Sequence, residues 1–461
     1  MKLQSTITAI LLSLAMITIL ASCEKGWLEA KPDKSLIVPR TLEDYQLLLN
    51  DRRVFGVKAP MSGEIAADDA YVPSEIWKSL NVLSRNTYVW ANDIYEGGGS
   101  PDWNLAYERI LQANIVLDGI QSLETAVAEK NQKNSIKGQA LFYRALSFYD
   151  LSQLFCKPYD PVTADTDLGL PLKLKPDVHE LVSRSTLQQT YDRIIHDLVS
   201  ARQLLPETQE WKTMPTKNAA SGLLARIYLS MEEYVAALKY ANESLEMNSD
   251  LLDYNTLDPA VDFPLPLFNE EVVWHGELGG NASHANRNGI IDTVLYDSYS
   301  EDDLRKVLFF RKEPDGVHFR GQYNGVWTPV FCGIANDELY LIRAECLVRT
   351  GQIAKGMDVL NKLLRNRWKK DEEGMSTYID RTAADETEAL NIILEERRKE
   401  LILRGVRWSD LRRLNRDDRF EKTLVRVVNG SVYTLPPNDP RYTFLIPPDE
   451  IILGRIEQNP R

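Results

Sequence analysis

The chain has 461 residues, 44% of them hydrophobic and 26% charged, and a formal charge of −13. That length and apolar share suit an ordinary globular fold, with a large core or a few closely packed subdomains. The acidic balance argues against nucleic acid as a partner, because phosphate backbones demand cationic surface, and it suits a solvated protein outside the cell.

The first segment in chain order is an export signal. Lys2 is the only charge before Glu24, and the residues from Ile7 to Ala21 are almost all apolar. The run is long enough to span a bilayer uncleaved, but it ends in Leu20-Ala21-Ser22-Cys23, which resembles a bacterial lipoprotein box. Small residues at 21 and 22 fit a narrow peptidase cleft, and Cys23 offers a thiol that can carry a diacylglycerol. We expect residues 1–22 to be removed, Cys23 to be lipidated, and residues 23–40, with Pro32 and Pro39, to form a tether.

Thr41-Leu-Glu-Asp44 predicts a capped helix to Asn50. Residues 51–101, with Gly63, Pro73 and Gly97 to Gly99, read as irregular. Trp103–Leu123 and Ser135–Phe155 have helical apolar spacing. Residues 156–183 hold four prolines and read as a loop. Ser185 with Gln188 makes a capping box for a helix that stops at Pro206.

A helix pair from Thr216 places Leu224, Ala225, Tyr228, Ala237 and Ala241 where a tetratricopeptide repeat puts its packing residues. A second pair carries Ala344, Leu347, Gly351, Gly356 and Leu360 in the same frame; small residues at 237 and 356 would let paired helices approach closely. Between the pairs, residues of about 251–335 lack helical period and read as a long functional loop insert. Asp385–Arg404 is a further helix. Its run Glu395-Glu-Arg-Arg-Lys-Glu400 reads as i, i+4 pairing along the helix. Asn429-Gly430 inside Val425–Thr434 signals a β-hairpin. The expected fold is mainly α: an α-solenoid scaffold of tetratricopeptide-like hairpins over about 102–250 and 336–415, with a loop-rich, partly β ligand-facing region, all within a single domain spanning 41–461.

Chemistry is sparse. Four cysteines, one of them Cys23, leave Cys156, Cys332 and Cys346 without a pairing pattern, so buried thiols are expected. His179, His196, His275, His284 and His318 form no metal-binding pair, with His196 on a helix surface and His275 and His284 in the insert. Neither a Gly-x-Ser-x-Gly elbow nor a phosphate loop occurs. No cofactor, metal or catalytic residue is expected, and the chain reads as a binding protein rather than an enzyme.

What remains is a set of loop aromatics with polar neighbours. Flat rings with apolar faces and polar edges suit sugars, whose C–H faces stack while their hydroxyls bond nearby amides and carboxylates. The candidate ligand residues are Asp69, Tyr71, Trp77, Trp90, Asn92, Tyr95, Trp274, Tyr296, Tyr323 and Trp327, with Tyr299 and Asn281 in the same loops. The competing reading of each ring is a plug that packs its loop onto the scaffold.

Several segments, in order along nearly the whole chain, resemble the SusD/RagB family of nutrient-uptake lipoproteins. They are Cys23-Glu-Lys-Gly-Trp-Leu-Glu-Ala-Lys-Pro32, Trp103-Asn-Leu-Ala-Tyr107, Gly138 to Ala145, Ala219 to Leu229, Glu338 to Glu345, Gly405-Val-Arg-Trp-Ser-Asp-Leu411 and Ile446-Pro-Pro-Asp-Glu-Ile451 with Gln458-Asn-Pro460. Arg461 stands where the family usually has glycine-tyrosine. The resemblance implies a place on the outer face of the outer membrane, a SusC-like TonB-dependent transporter as partner, and glycan or oligosaccharide import, with peptides handled by some members. It also implies that Arg407, Trp408 and Asp410 are core. A peptide-binding lid, a surface hydrolase and a structural assembly module stay open as alternatives.

Overall fold

Helical hairpins dominate the chain, and short two-stranded pairings tie distant loops to them. The computed structural model describes residues 39–279, 289–326 and 329–461. Cys23, Asn281, His284 and Trp327 lie outside the described residues. Thr41–Arg461 forms one unit by its internal contacts.

The order begins with α1 (Leu42–Leu49), α2 (Arg52–Phe55), β1 (Val57–Ala59), α3 (Ser62–Ala66), β2 (Ala70–Tyr71), α4 (Ser74–Ser79) and α5 (Val82–Tyr88). The Thr41–Asp44 capping box that starts α1 is closed in both directions. Residues 51–101 thus fold into four short helices and two strands, a correction to the irregular segment expected. Each helix is too short to show a period.

The scaffold follows with α6 (Pro101–Ser122), α7 (Lys130–Phe155), β3 (Leu168–Pro171), β4 (Arg184–Thr186) and α8 (Leu187–Leu204). Trp103 meets Phe155 edge-on at 5.0 Å between ring centres. Buried Arg144 locks three helices together. Its guanidinium donates to both oxygens of Asp197 on α8 at 2.7 and 2.9 Å, and to Asn114 Oδ1 on α6 at 2.9 Å. The capping box of α8 is Thr186 with Gln189, one residue beyond the pair expected. Ser185 is instead taken by the β3–β4 pairing, its hydroxyl donating to Leu170 O at 2.9 Å.

The two repeat hairpins are α9 (Lys217–Ser230) with α10 (Tyr234–Met247), and α13 (Asn336–Arg349) with α14 (Ile353–Leu364). Between them lie β5 (Val272–Trp274), β6 (Glu277–Leu278), β7 (Ile290–Ile291), α11 (Thr293–Asp297), α12 (Arg305–Leu308), β8 (Phe310–Glu313), β9 (Gly316–Phe319) and β10 (Ile334–Ala335). Gly356 is where α14 meets α13. A Cβ there would sit 2.5 Å from Val348 Cγ2 and 2.8 Å from Ala344 O. Gly356→Val should therefore lower unfolding free energy by about 1–3 kcal/mol, read from urea denaturation; an unchanged midpoint would show that the hairpin can spread.

The chain ends with α15 (Glu386–Glu400), α16 (Arg407–Leu414), β11 (Leu424–Val428), β12 (Ser431–Leu435) and α17 (Pro448–Leu453). Asn429 and Gly430 both adopt positive φ, as a two-residue turn between β11 and β12 requires. No described helix is long and apolar enough to cross a membrane.

The insert is not a loose loop. Tyr254, Phe309, Phe310, Phe319, Tyr323 and Phe331 build a second apolar core, closed by Ile402 and Leu403 just after α15. Beneath it runs a buried ion network. Arg305 meets Asp303, Glu396 and Glu400 at 2.7, 2.6 and 2.9 Å, and Arg367 meets Glu271 and Glu400, each at 2.7 Å. The 395–400 charge run keeps the local pairing expected, Lys399 with Glu395 and Glu396, and adds distant partners. Glu396, Arg397, Lys399 and Glu400 are all buried; Arg305, Arg367 and Asp410 reach Glu396, Glu400 and Arg397 from other segments, while Lys399 pairs with Glu396 on its own helix. Burial alone would raise the Glu396 pKa, but Arg305 and Lys399 hold it below its ordinary value.

Candidate functional site

Strand β2 leads from the scaffold to the ligand-facing candidates. It pairs antiparallel with β7, Tyr71 opposite Ile290 and Ala70 opposite Ile291. Two residues earlier, Asp68 and Asp69 nail this edge to the helices. Arg407 Nε donates to Asp68 Oδ1 at 2.7 Å, Lys422 Nζ to Asp68 Oδ2 at 2.6 Å, and Arg398 Nε to Asp69 Oδ1 at 3.0 Å. Burial works against both charges. Arg407 and Arg398 nevertheless hold Asp68 well below the usual carboxylate range, whereas burial wins at Asp69 and raises it. Asp292 N donates to Asp69 O at 3.0 Å, so the insert is stitched to the same anchor.

Around β2 the surface carries aromatic rings. Tyr71 is 41% exposed. Trp77 on α4 is half-buried in a small apolar cluster with Val72, Leu80, Tyr88, Val89 and Val428, and its Nε1 donates to Arg85 O at 3.0 Å. Asn92 is exposed and follows Ala91, which packs on that cluster. Tyr296 on α11 is half-buried, its ring edge-on to Phe310 at 5.4 Å, with the Lys306 and Lys312 ammonium groups each 5.3 Å from its centre. Exposed Val294 sits on the same short helix. The structure thus leaves Tyr71 on β2, Trp77 on the next helix α4 and Tyr296 on α11, which follows β7, at or near the surface, and Asn92 exposed in the loop after α5.

The other candidates point inward, which corrects their reading as ligand platforms. Asp69 is buried in the ion cluster just described. Trp90 is 3% exposed, its Nε1 donating to Ala66 O and its ring face stacked under the Arg426 guanidinium. Tyr95 donates to Leu445 O at 2.8 Å. Trp274 packs among Phe142 and Tyr143 and donates to Thr213 O. Tyr323 donates to Glu271 Oε2 at 2.7 Å, and Tyr299 to Lys399 O at 2.8 Å. These rings are plugs that seat loops on the scaffold. Sequence reasoning missed the cations beside Tyr296 and the arginines behind β2, since nothing local in their segments signals the partner.

Catalytic groupings are thin among the described residues. His275 is buried between Phe268 and Phe331 with Nε2 at 3.1 Å from Glu277. Glu313, Asp315 and His318 place their donor atoms within 4.8 Å of one another at the β8–β9 turn. Local contacts account for that grouping: His318 Nε2 lies within hydrogen-bond distance of Asp315 Oδ1 at 3.1 Å, and Glu313 pairs with Arg311. Cys156, Cys332 and Cys346 are free and buried, as expected, and burial pushes the Cys156 thiol up to about 11.

A cavity of about 80 Å³ is lined by Glu64, Arg109, Asp150 and Trp408 together with apolar residues such as Leu146 and Leu154. Glu64 Oε2 accepts from Gly405 N at 2.9 Å, and burial, followed by the charge of Asp69, raises its pKa to about 8.

The family model described as "Starch-binding associating with outer membrane" matches residues 26–229, and the model of the SusD family matches residues 337–442. The chain belongs to the SusD/RagB family. The SusD-like protein P2 of Formosa agariphila is 23% identical over 390 residues, covering 71% of this chain and 74% of that relative. A SusD superfamily crystal structure from Bacteroides thetaiotaomicron superposes with TM-score 0.74 at 23% identity, over 91% of this chain and 100% of the other. A SusD-like carbohydrate binding protein from Bacteroides vulgatus gives 0.70 at 18%, over 90% and 97%. At these identities the solved structures bear on the fold, the tetratricopeptide-like helical architecture of SusD/RagB proteins. Trp408 and Asp410, in the SusD-like segment of α16, are buried scaffold residues.

Proposed function

We propose that this SusD/RagB protein captures oligosaccharide at the cell surface and hands it to a SusC-like TonB-dependent transporter, over which it sits as a lid. In this reading Cys23 carries the lipid that holds it to the outer membrane, facing outward. The observation that carries the proposal is the surface around β2 and β7, where Tyr71, Trp77 and Tyr296 present ring surface on a backbone pinned by buried ion pairs. Rings held this way stack sugar faces at little entropic cost, and Asn92, Asp292 and the flanking lysines supply hydroxyl partners. The family membership supports carbohydrate as the ligand class. Weak affinity is sufficient, because tether and transporter raise the effective concentration.

Affinity electrophoresis and calorimetry against plant, fungal and host polysaccharides test this. One polysaccharide class should bind, and Tyr71→Ala with Tyr296→Ala should weaken it about tenfold. Tyr71→Ala alone should leave the melting temperature unchanged, since the ring is largely outside the core, whereas Trp77→Ala should also cost stability through its bond to Arg85. Polysaccharide binding that ignores Tyr71 and Tyr296 would sink the site. Selective binding of peptides would favour the peptide-lid reading.

A further inference from the structure

Residues 67–88 carry two of the outward rings, Tyr71 and Trp77, between the end of α3 and the end of α5. One side chain ties both ends of this segment. Arg426, on β11, donates from Nη1 and from Nη2 to Ile65 O, each at 3.1 Å. Nη2 also donates to Ala67 O, and Nη1 to Tyr88 O. The guanidinium carbon lies 3.7 Å from the centre of the Tyr88 ring and 4.7 Å from that of Trp90. A single planar group thus holds the start and the finish of the segment, and its fixed fork suits several carbonyls at once.

The same hairpin reaches the middle of the segment. Val428 packs in the cluster that holds Trp77, and Asn429 N, at the turn, donates to Ser74 Oγ at 3.0 Å. Tyr88 Oη in turn accepts from Val72 N at 3.0 Å, next to Tyr71. The other face of the hairpin buries little: Val425, Val427 and Val432 are each more than half exposed.

Arg426 is costly where it sits. It is 7% exposed, and its hydrogen bonds go to carbonyls and not to carboxylates. Burial lowers its pKa to about 10, so it stays charged at neutral pH. Beside it Trp90 has a φ of +53°, a left-handed backbone that a bulky residue rarely adopts. Strain and buried charge of this kind persist only where the surroundings fix them, and they gather where geometry matters to function.

We propose that Arg426 is a positioning residue for the ligand face: it sets the spacing of the two ends of residues 67–88, and so the placement of Tyr71 and Trp77. The proposal rests on the glycan-capture reading above. Arg426 itself, being buried, acts on ligand only through these rings.

The test uses the full chain in detergent with Arg426→Met and Arg426→Lys. Amide exchange without ligand reads the tie. In Arg426→Met the amides of residues 70–80 should exchange at least about tenfold faster, the factor for roughly one net hydrogen bond, with those of α13 and α14 unchanged. Lysine keeps the charge and reaches fewer carbonyls, so Arg426→Lys should fall between parent and Arg426→Met, and it carries the test if methionine abolishes folding. Calorimetry with the polysaccharide class that binds the parent reads the ligand face. Arg426→Met should weaken binding about tenfold, and adding Tyr71→Ala should then cost less than about twofold, because the ring is already displaced. An arginine that only supports the fold would leave the two losses independent and multiplicative. Tyr71→Ala costing its full factor with and without Arg426, or unchanged exchange over residues 70–80 in a variant that folds, would overturn the proposal. A parent protein that binds no polysaccharide would overturn the capture reading and this role together; the exchange difference, read without ligand, separates that failure from failure of the tie alone.

Discussion

Arg305→Leu should destabilise the protein by about 3–5 kcal/mol, the range for removing one partner of a buried ion pair. Its guanidinium is fully buried and is shared by Asp303, Glu396 and Glu400. Deleting it strands these carboxylates, two of them on α15, in a site that water does not reach. Because Arg305 belongs to the insert and Glu396 to the scaffold, the loss should also loosen residues 289–326 first. Urea denaturation measures the total, and amide exchange locates it. A change under about 1 kcal/mol, with unaltered exchange in the insert, would mean that Lys399 and Arg367 neutralise these carboxylates without Arg305.

The second large effect is a pH dependence. The folded pKa of Glu64, about 8, lies above its ordinary 4.5, so between those values the folded state holds a proton that the unfolded chain releases. The stability that this proton confers is complete below about pH 4.5 and is lost as pH rises through about 8. Glu64→Gln keeps an acceptor for Gly405 N and carries no charge. The variant should match the parent near pH 5 and exceed its stability by a few kcal/mol at pH 9. Unfolding free energies at both pH values check this. A difference between the two proteins that stays constant with pH would show that Glu64 is ionised throughout.

The helices were legible from sequence wherever local chemistry decides the outcome. Thr41 caps α1 as expected, the helices expected to begin at Thr216 and Asp385 are capped by those residues, and Asn429-Gly430 turns the hairpin. Long-range pairing defeats such reading. Ser185-Thr186 offers two equivalent caps, and the choice falls to Thr186 because Ser185 is used by Leu170, fifteen residues away. The 395–400 run shows only local pairing until Arg305, Arg367 and Asp410 arrive from elsewhere. The same limit blurred the site. Tyr71 and Tyr323 both sit in aperiodic segments, and only the folding of the insert turns one ring outward and the other in. Periodicity carries no information on burial where there is no period.

The β2–β7, β1–β6 and β5–β10 pairings join segments that lie far apart along the polypeptide. The anchors of β2, Arg398, Arg407 and Lys422, are later still. Pairings with such long loop closures form slowly, so during synthesis the helical hairpins can assemble one by one while the rim around Tyr71 waits for the last seventh of the chain. A ribosome stalled before residue 398 would hold a largely helical protein whose proposed ligand face is not yet anchored, and under that proposal recognition would be the final property the nascent chain acquires.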